Sequence, residues 1–245
     1  MYDDLAAIYD RFIDWPTRLA RELPLLEAWL GGARRVADAA CGTGGHALAL
    51  ARAGRTVVGF DPSEPALARA RRSAERLPAR FVTAGFGAMA PAGEPPFEAV
   101  YCLGNSLPHL TTRTALRAAA SDFRRLLVPG GRLLLAMRNL PRAVATRERW
   151  LPVRAHRDAD GTQWVFQRHY AHRPRGLIDF HFVVLWQAPG AAWRQEVHTT
   201  RLRAWSADDL ADALAEWTEV RVWSDLAGAP FDPERSADLV VSARC

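Results

Sequence analysis

At 245 residues, 49% of them hydrophobic, the chain is long enough for one large α/β domain or a core with an inserted subdomain. All 32 basic residues are arginine; they give a net charge of +5 without a basic run, so nucleic acid is not an expected partner, and the lack of lysine excludes P-loop, Schiff-base and lysine-base chemistry. The acidic opening is no signal peptide, the apolar runs are too short for a bilayer, and Cys41, Cys102 and Cys245 are too scattered for a disulfide framework or metal cluster; a cytoplasmic chain without membrane contact or metal is expected.

Two amphipathic helices are expected first, at residues 3–13 and 16–30, the second stopped by Gly31-Gly32. The stretch "RVADAACGTGGHALAL" then reads as a buried strand, a glycine-rich turn and a helix start. Gly42-Thr43-Gly44-Gly45-His46-Ala47 fits the dinucleotide pattern G-x-G-x-x-G/A. Asp38, at the end of the preceding strand, opposes that reading, because a carboxylate repels a pyrophosphate seated on the helix N-terminus. It suits a cationic ligand, such as the ammonium and sulfonium of S-adenosylmethionine. Asp61 closes the next strand, "TVVGF", where a carboxylate can accept from both ribose hydroxyls of either ligand.

A helix is expected at 65–76, then strands "ARFVTA" and "FEAVYCL", a helix at 113–127 and a fifth strand, "GGRLLLAM". This βαβ rhythm implies a Rossmann-like, doubly wound, mostly parallel seven-stranded sheet with its ligand at the strands' C-terminal ends. From about 141 to 204 the pattern alternates polar and apolar, as in "QWVFQRHY", "LIDFHFVVLWQ" and "RQEVHTTRLR". That predicts an antiparallel β lid inserted over the ligand edge. A helix capped by Ser206 and Asp209, then strands "EVRVW" and "ADLVVSAR", complete the sheet. The expected organisation is a single domain: a helical cap (1–32), a cofactor core (33–140), the lid (141–204) and a closing segment (205–245).

"VADAACGTGGHALALARAGRTVVGFDPSEPALARAR" resembles the cofactor motif of class I S-adenosylmethionine-dependent methyltransferases, and "FEAVYCLGNSLPHL" and "LLVPGGRLLLAMRN" resemble their fourth- and fifth-strand motifs. More narrowly, "CLGNSLPHL" with "MRN" resembles glycine N-methyltransferase and its relatives, and the "HL" is similar to amino-sugar N-methyltransferases. The resemblance implies S-adenosyl-L-methionine as cofactor, with Ala40, Gly42 and Gly44 lining its methionine portion and Asp61 holding the ribose. It places Pro62, Gly85 and Phe86 by the adenine, the Leu103 backbone at the amino group, and Tyr9 and Trp15 over the cofactor. Either Arg18 or Arg21 pairs with the cofactor carboxylate, a task that suits guanidinium. Arg138, with Asn139 beside it, is expected to grip a substrate carboxylate.

His109 and Asn105 sit where the methyl should be transferred; each could serve the chemistry or merely close the loop. Of "FQRHY", strand alternation lets Arg168 and Tyr170 face a substrate together, or His169 alone. Cys41, Cys102 and most lid tryptophans (Trp150, Trp164, Trp186, Trp193) read as packing, while His46 reads as either a helix-surface residue or a cofactor contact. The expected reaction is N-methylation of an amino acid-like or amino-sugar small molecule, with a homodimer allowed. The rivals are O-methylation with His109 as base and a non-methylating use of the same cofactor.

Overall fold

Runs of valine, leucine, alanine and phenylalanine, punctuated by glycine and proline, form the expected sheet in the computed structural model, which describes residue 6, residues 8–94 and residues 96–245. Residues 1–5 and 7, which take in the start of the first expected helix, lie outside the described residues; a short helix, α1 (Tyr9–Phe12), lies within the rest of that stretch. α2 (Trp15–Leu30) starts where the Asp14 carboxylate accepts from the Thr17 amide, an N-cap. The order then runs β1 (Arg35–Ala39), α3 (Gly45–Arg52), β2 (Thr56–Asp61), α4 (Glu64–Ser73), β3 (Ala79–Thr83), β4 (Phe97–Cys102), α5 (Arg113–Leu126) and β5 (Leu127–Arg138). Ser63 and Thr112 cap α4 and α5 through their hydroxyls.

The large sheet has seven strands in the order β3-β2-β1-β4-β5-β11-β10, where β10 is Thr218–Trp223 and β11 Asp238–Arg244. β1 to β5 pair in parallel, while β11 runs antiparallel to both β5 and β10. Strand order reverses between β1 and β4, and that switch opens a crevice at their C-terminal ends, where such sheets bind ligands. Leu26, Leu50, Leu67 and Tyr101 fill one face; Phe60, Phe97, Phe123 and Trp205 fill the other. Among the described residues no helix is long and apolar enough to cross a membrane.

The expected lid is a four-stranded antiparallel sheet: β6 (Arg154–Arg157), β7 (Gln163–Arg173), β8 (Leu177–Gln187) and β9 (Arg194–Arg203). Its start differs from expectation, since 140–145 is helical (α6, Leu140–Ala145) rather than extended. Pro141 reads as a breaker in sequence, yet it occupies the first helical turn, where its missing N–H costs nothing. Ser206 and Asp209 form the expected capping box on α7 (Ala207–Ala213). Phe12 of α1 is buried among Phe166, Phe182 and Val184, which holds the N-terminal segment against the small sheet.

Candidate cofactor and acceptor site

The glycine turn is shaped by its own backbone. Gly44 has φ +81°, and a Cβ there would press on Ala70 and Phe81; a Cβ on Gly45 would collide with the Trp15 ring. Only glycine lets Trp15 and the α4 side approach so closely. Ala40 takes a left-handed φ of +63°, a conformation that costs an L-residue about 1 kcal/mol. Asp61 locks the turn to the end of β2: one carboxylate oxygen accepts from the Gly42 amide and the other from Ser63, each at 2.9 Å. A Cβ at Gly42 would meet nothing within 4 Å.

Asp38 is 4% exposed at the end of β1. Burial, reinforced by the Asp61 charge, pushes its carboxyl up to about 8, although Tyr101 and the Arg18 charge pull the other way. The carboxyl is therefore largely protonated at pH 7, and an arriving cation would draw off its proton. Asp10 of α1 closes the turn from above by accepting from Thr43 (2.7 Å), the Trp15 indole (2.9 Å) and Arg69 (3.0 Å). Tyr9 is half-buried beside Arg18 and Asp61, and desolvation of its hydroxyl raises it. Arg18 is anchored at Nε by Glu22 (2.9 Å), and its Nη2 lies 3.8 Å from where a Gly104 Cβ would stand. Arg21 pairs with the same Glu22 from outside, its side chain 76% exposed. Burial works against the Glu22 charge, but hydrogen bonds from His46 and both arginines hold it at about 2.

On the acceptor side, the turn after β4 places His109 against Thr200 of β9 (Nδ1 to Oγ1, 3.3 Å). Burial lowers His109 to about 4, so it is uncharged at neutral pH. Asn105 accepts from the Arg138 amide at 3.2 Å, tying the ends of β4 and β5 together. β7 turns Phe166, Arg168 and Tyr170 toward the core, because its alternation places them on the face that meets Phe12 and Tyr9. His169 lies on the opposite face, stacked on His181 and under Trp150.

A methyltransferase domain family matches residues 36–131. Glycine/sarcosine N-methyltransferase of Parasynechococcus marenigrum is 37% identical over 148 residues, 57% of this chain and 51% of that protein. The chain thus spans about half the length of the curated relatives it matches. The CcbJ methyltransferase of Streptomyces caelestis is similar along the entire chain, covering 100% of it and 97% of its own length, with 25% identity and a TM-score of 0.77. An amino pentose methyltransferase of Micromonospora echinaspora shares the fold over 98% of this chain and 95% of its own, with 21% identity and a TM-score of 0.72. Residues 36–131 thus match a methyltransferase domain, and the chain resembles the class I S-adenosylmethionine-dependent methyltransferases. S-adenosylmethionine is its cofactor, and the glycine turn, the Asp61 carboxylate beside it and the buried carboxyl of Asp38 fit that ligand.

Several residues expected at the site take other roles. Asn139 is not at the acceptor: it is 3% exposed, its Oδ1 caps α6 at the Arg142 amide, and its Nδ2 donates to the Pro233 and Ser236 carbonyls. Every polar atom of that side chain is already used. Arg21 faces solvent, so of the two arginines only Arg18 reaches the crevice. His46 is neither a helix-surface residue nor a cofactor contact; it is buried and bonded to Glu22 at 2.9 Å. Trp164 and Trp186 stack as packing, whereas Trp150 and Trp193 are exposed. Phe86 packs edge-on against Phe123 and remains partly exposed, while Gly85 lies beside Pro62. Leu103 is buried at the end of β4. No group of metal-ligating side chains occurs among the described residues. Asp10, Phe12, Thr200 and Asp238 carry no signal in the sequence; each lacks a local motif and meets its site only through folding.

Proposed function

We propose that this methyltransferase acts on a small molecule, methylating the nitrogen of an amino acid-like or amino-sugar acceptor. Arg18 takes the cofactor carboxylate, Asp38 faces its ammonium, and Ala40, Gly42 and Gly44 line the methionine portion. Asp61 holds the ribose, Pro62, Gly85 and Phe86 flank the adenine, and the Leu103 backbone meets the amino group. Tyr9 and Trp15 cover the cofactor from the N-terminal helices. Bound there, S-adenosylmethionine supplies an activated methyl group on its sulfonium.

The observation that carries the nitrogen reading is His109, held down to about 4 by burial. So weak a base is poorly matched to deprotonating a hydroxyl near neutral pH. A neutral amine needs no such base at the moment of transfer. The chain's contribution is then orientation: Asn105 and His109 position the acceptor at the ends of β4 and β5, and the small sheet closes over it and excludes water. Alignment of this kind supplies much of the rate in a displacement. Arg138, Arg154 and Arg168 on the same side also lower the pKa of a bound amine, which keeps its lone pair available. The glycine/sarcosine N-methyltransferase relative supports an amine acceptor.

The test is incubation with S-adenosylmethionine and panels of amino acids, amino sugars and hydroxylated analogues, read by mass spectrometry. S-adenosylhomocysteine together with an N-methylated product is expected. An O-methylated product, or methylthioadenosine in place of S-adenosylhomocysteine, would overturn the reading.

A further inference from the structure

The arginines on the acceptor side differ in what already neutralises them. Arg138 has a carboxylate, Asp238, at 3.4 Å. Arg154 donates to the Phe12 carbonyl at 3.2 Å. Arg168 makes no ion pair among the described residues; its Nη2 reaches the Pro152 carbonyl at 3.3 Å, and its Nε is buried without any partner. Both Arg154 and Arg168 lie over the Phe12 ring, at 5.0 and 4.7 Å from its centroid, so one aromatic ring contacts both guanidinium groups. Their mutual repulsion is visible in Arg168: burial, then the charges of Arg154 and Arg138, bring it down to about 10.

A partly buried cation whose buried Nε lacks a partner is retained at a cost unless something pairs with it. Here the protein supplies carboxylate to the flanking Arg138 and none to Arg168, although Tyr9 and Tyr170 stand beside it. We propose that Arg168, rather than Arg138, is the anion-binding residue of the acceptor pocket, and that the acceptor carries an oxyanion, a carboxylate or a phosphate, bound by its guanidinium. The planar fork matches either group bidentately. Neighbouring Arg154 adds charge, Tyr170 walls the site, and the acceptor's amine is left to face the β4 and β5 ends. Arg138 instead stays fastened to Asp238 and shapes the rim. This inference rests on the small sheet and sheet edge forming the acceptor site.

Calorimetric titration tests it with two probes, sodium acetate and inorganic phosphate, added separately at constant ionic strength to protein saturated with S-adenosylhomocysteine. One probe is expected to bind the wild type saturably, and the tighter one names the source of the anion. Arg168→Met should weaken that binding tenfold or more, Arg168→Lys should restore part of it, and Arg138→Met should change it less than threefold. S-adenosylhomocysteine affinity should stay within about twofold in all variants, which also certifies folding. Wild-type protein that binds S-adenosylhomocysteine but neither probe overturns the inference while leaving the cofactor reading intact. Equal probe affinity in Arg168→Met overturns it too, as does a loss confined to Arg138→Met. Failure of the wild type to bind S-adenosylhomocysteine would strike the functional reading itself.

Discussion

Replacing Asp61 by asparagine tests the cofactor site at the point where one side chain does two jobs. Its carboxylate oxygens accept the Gly42 and Ser63 amides at 2.9 Å each, which fixes the glycine turn, and the proposed ribose contact falls on the same carboxylate. Asparagine keeps one acceptor oxygen but turns an NH2 group toward a backbone N–H, so one amide loses its partner whichever way the side chain sits. A hydrogen bond to a charged group contributes about 1.5–3 kcal/mol, and an orphaned donor costs a similar amount. Losing one ribose contact and loosening the turn should together weaken binding by about 3 kcal/mol, more than a hundredfold in Kd. Calorimetry with S-adenosylhomocysteine reads this directly, and adenosine, which keeps the ribose, should lose affinity in parallel. The unliganded variant should also melt several degrees lower, since about 1 kcal/mol moves Tm by roughly 2–4 °C in a chain of this size. Affinity for S-adenosylhomocysteine within threefold of wild type would refute the ribose assignment.

Three further substitutions separate structural from chemical roles. Asn139→Ala removes a helix cap and leaves the Pro233 and Ser236 carbonyls without their donor; together these should cost ~3 kcal/mol. A fall in Tm of roughly 6–12 °C with unchanged cofactor affinity is expected, whereas an unmoved Tm with a raised KM for acceptor would restore a binding role. Ala40→Gly relieves the left-handed backbone at φ +63° and should raise stability by a few tenths to about 1 kcal/mol, because glycine's extra chain entropy offsets part of the gain. Denaturant unfolding that shows a loss would contradict the strain. His109→Asn should lower kcat less than tenfold; a drop of about a hundredfold or more would identify His109 as a general base. The same residue makes stability pH-dependent. Its pKa falls from 6.5 to about 4 on folding, so the unfolded chain binds the extra proton between those values. The stabilisation is present above pH 6.5 and is lost as pH falls toward 4, by up to ~3 kcal/mol. The variant should show a correspondingly shallower acid-side decline in urea denaturation.

The cofactor end of the molecule is legible in the chain because its partners are close in sequence. Asp38, Ala40, Gly42, Gly44 and Asp61 share one strand–turn–helix–strand unit, and Asp61 meets Gly42 only 19 residues away. Local backbone geometry and the chemistry of two nearby carboxyls are what the sequence reading of this turn rests on. Alternation along β7 likewise separates Arg168 and Tyr170 from His169, since a strand has only two faces. Residues 140–145 do not read as a helix in sequence because Asn139 and Pro141 look like punctuation until the cap geometry is present.

The acceptor end is decided by tertiary structure alone. Thr200 meets His109 across 91 residues and Asp238 meets Arg138 across 100, and no periodicity records such pairings. Whether a given arginine is free to bind a ligand depends on which carboxylate folding delivers to it. Sequence marks Arg138 and Arg168 as candidates for this side, and folding alone neutralises Arg138 and leaves Arg168 without an ion pair over Phe12, just as at the cofactor end it sends Arg21 to solvent.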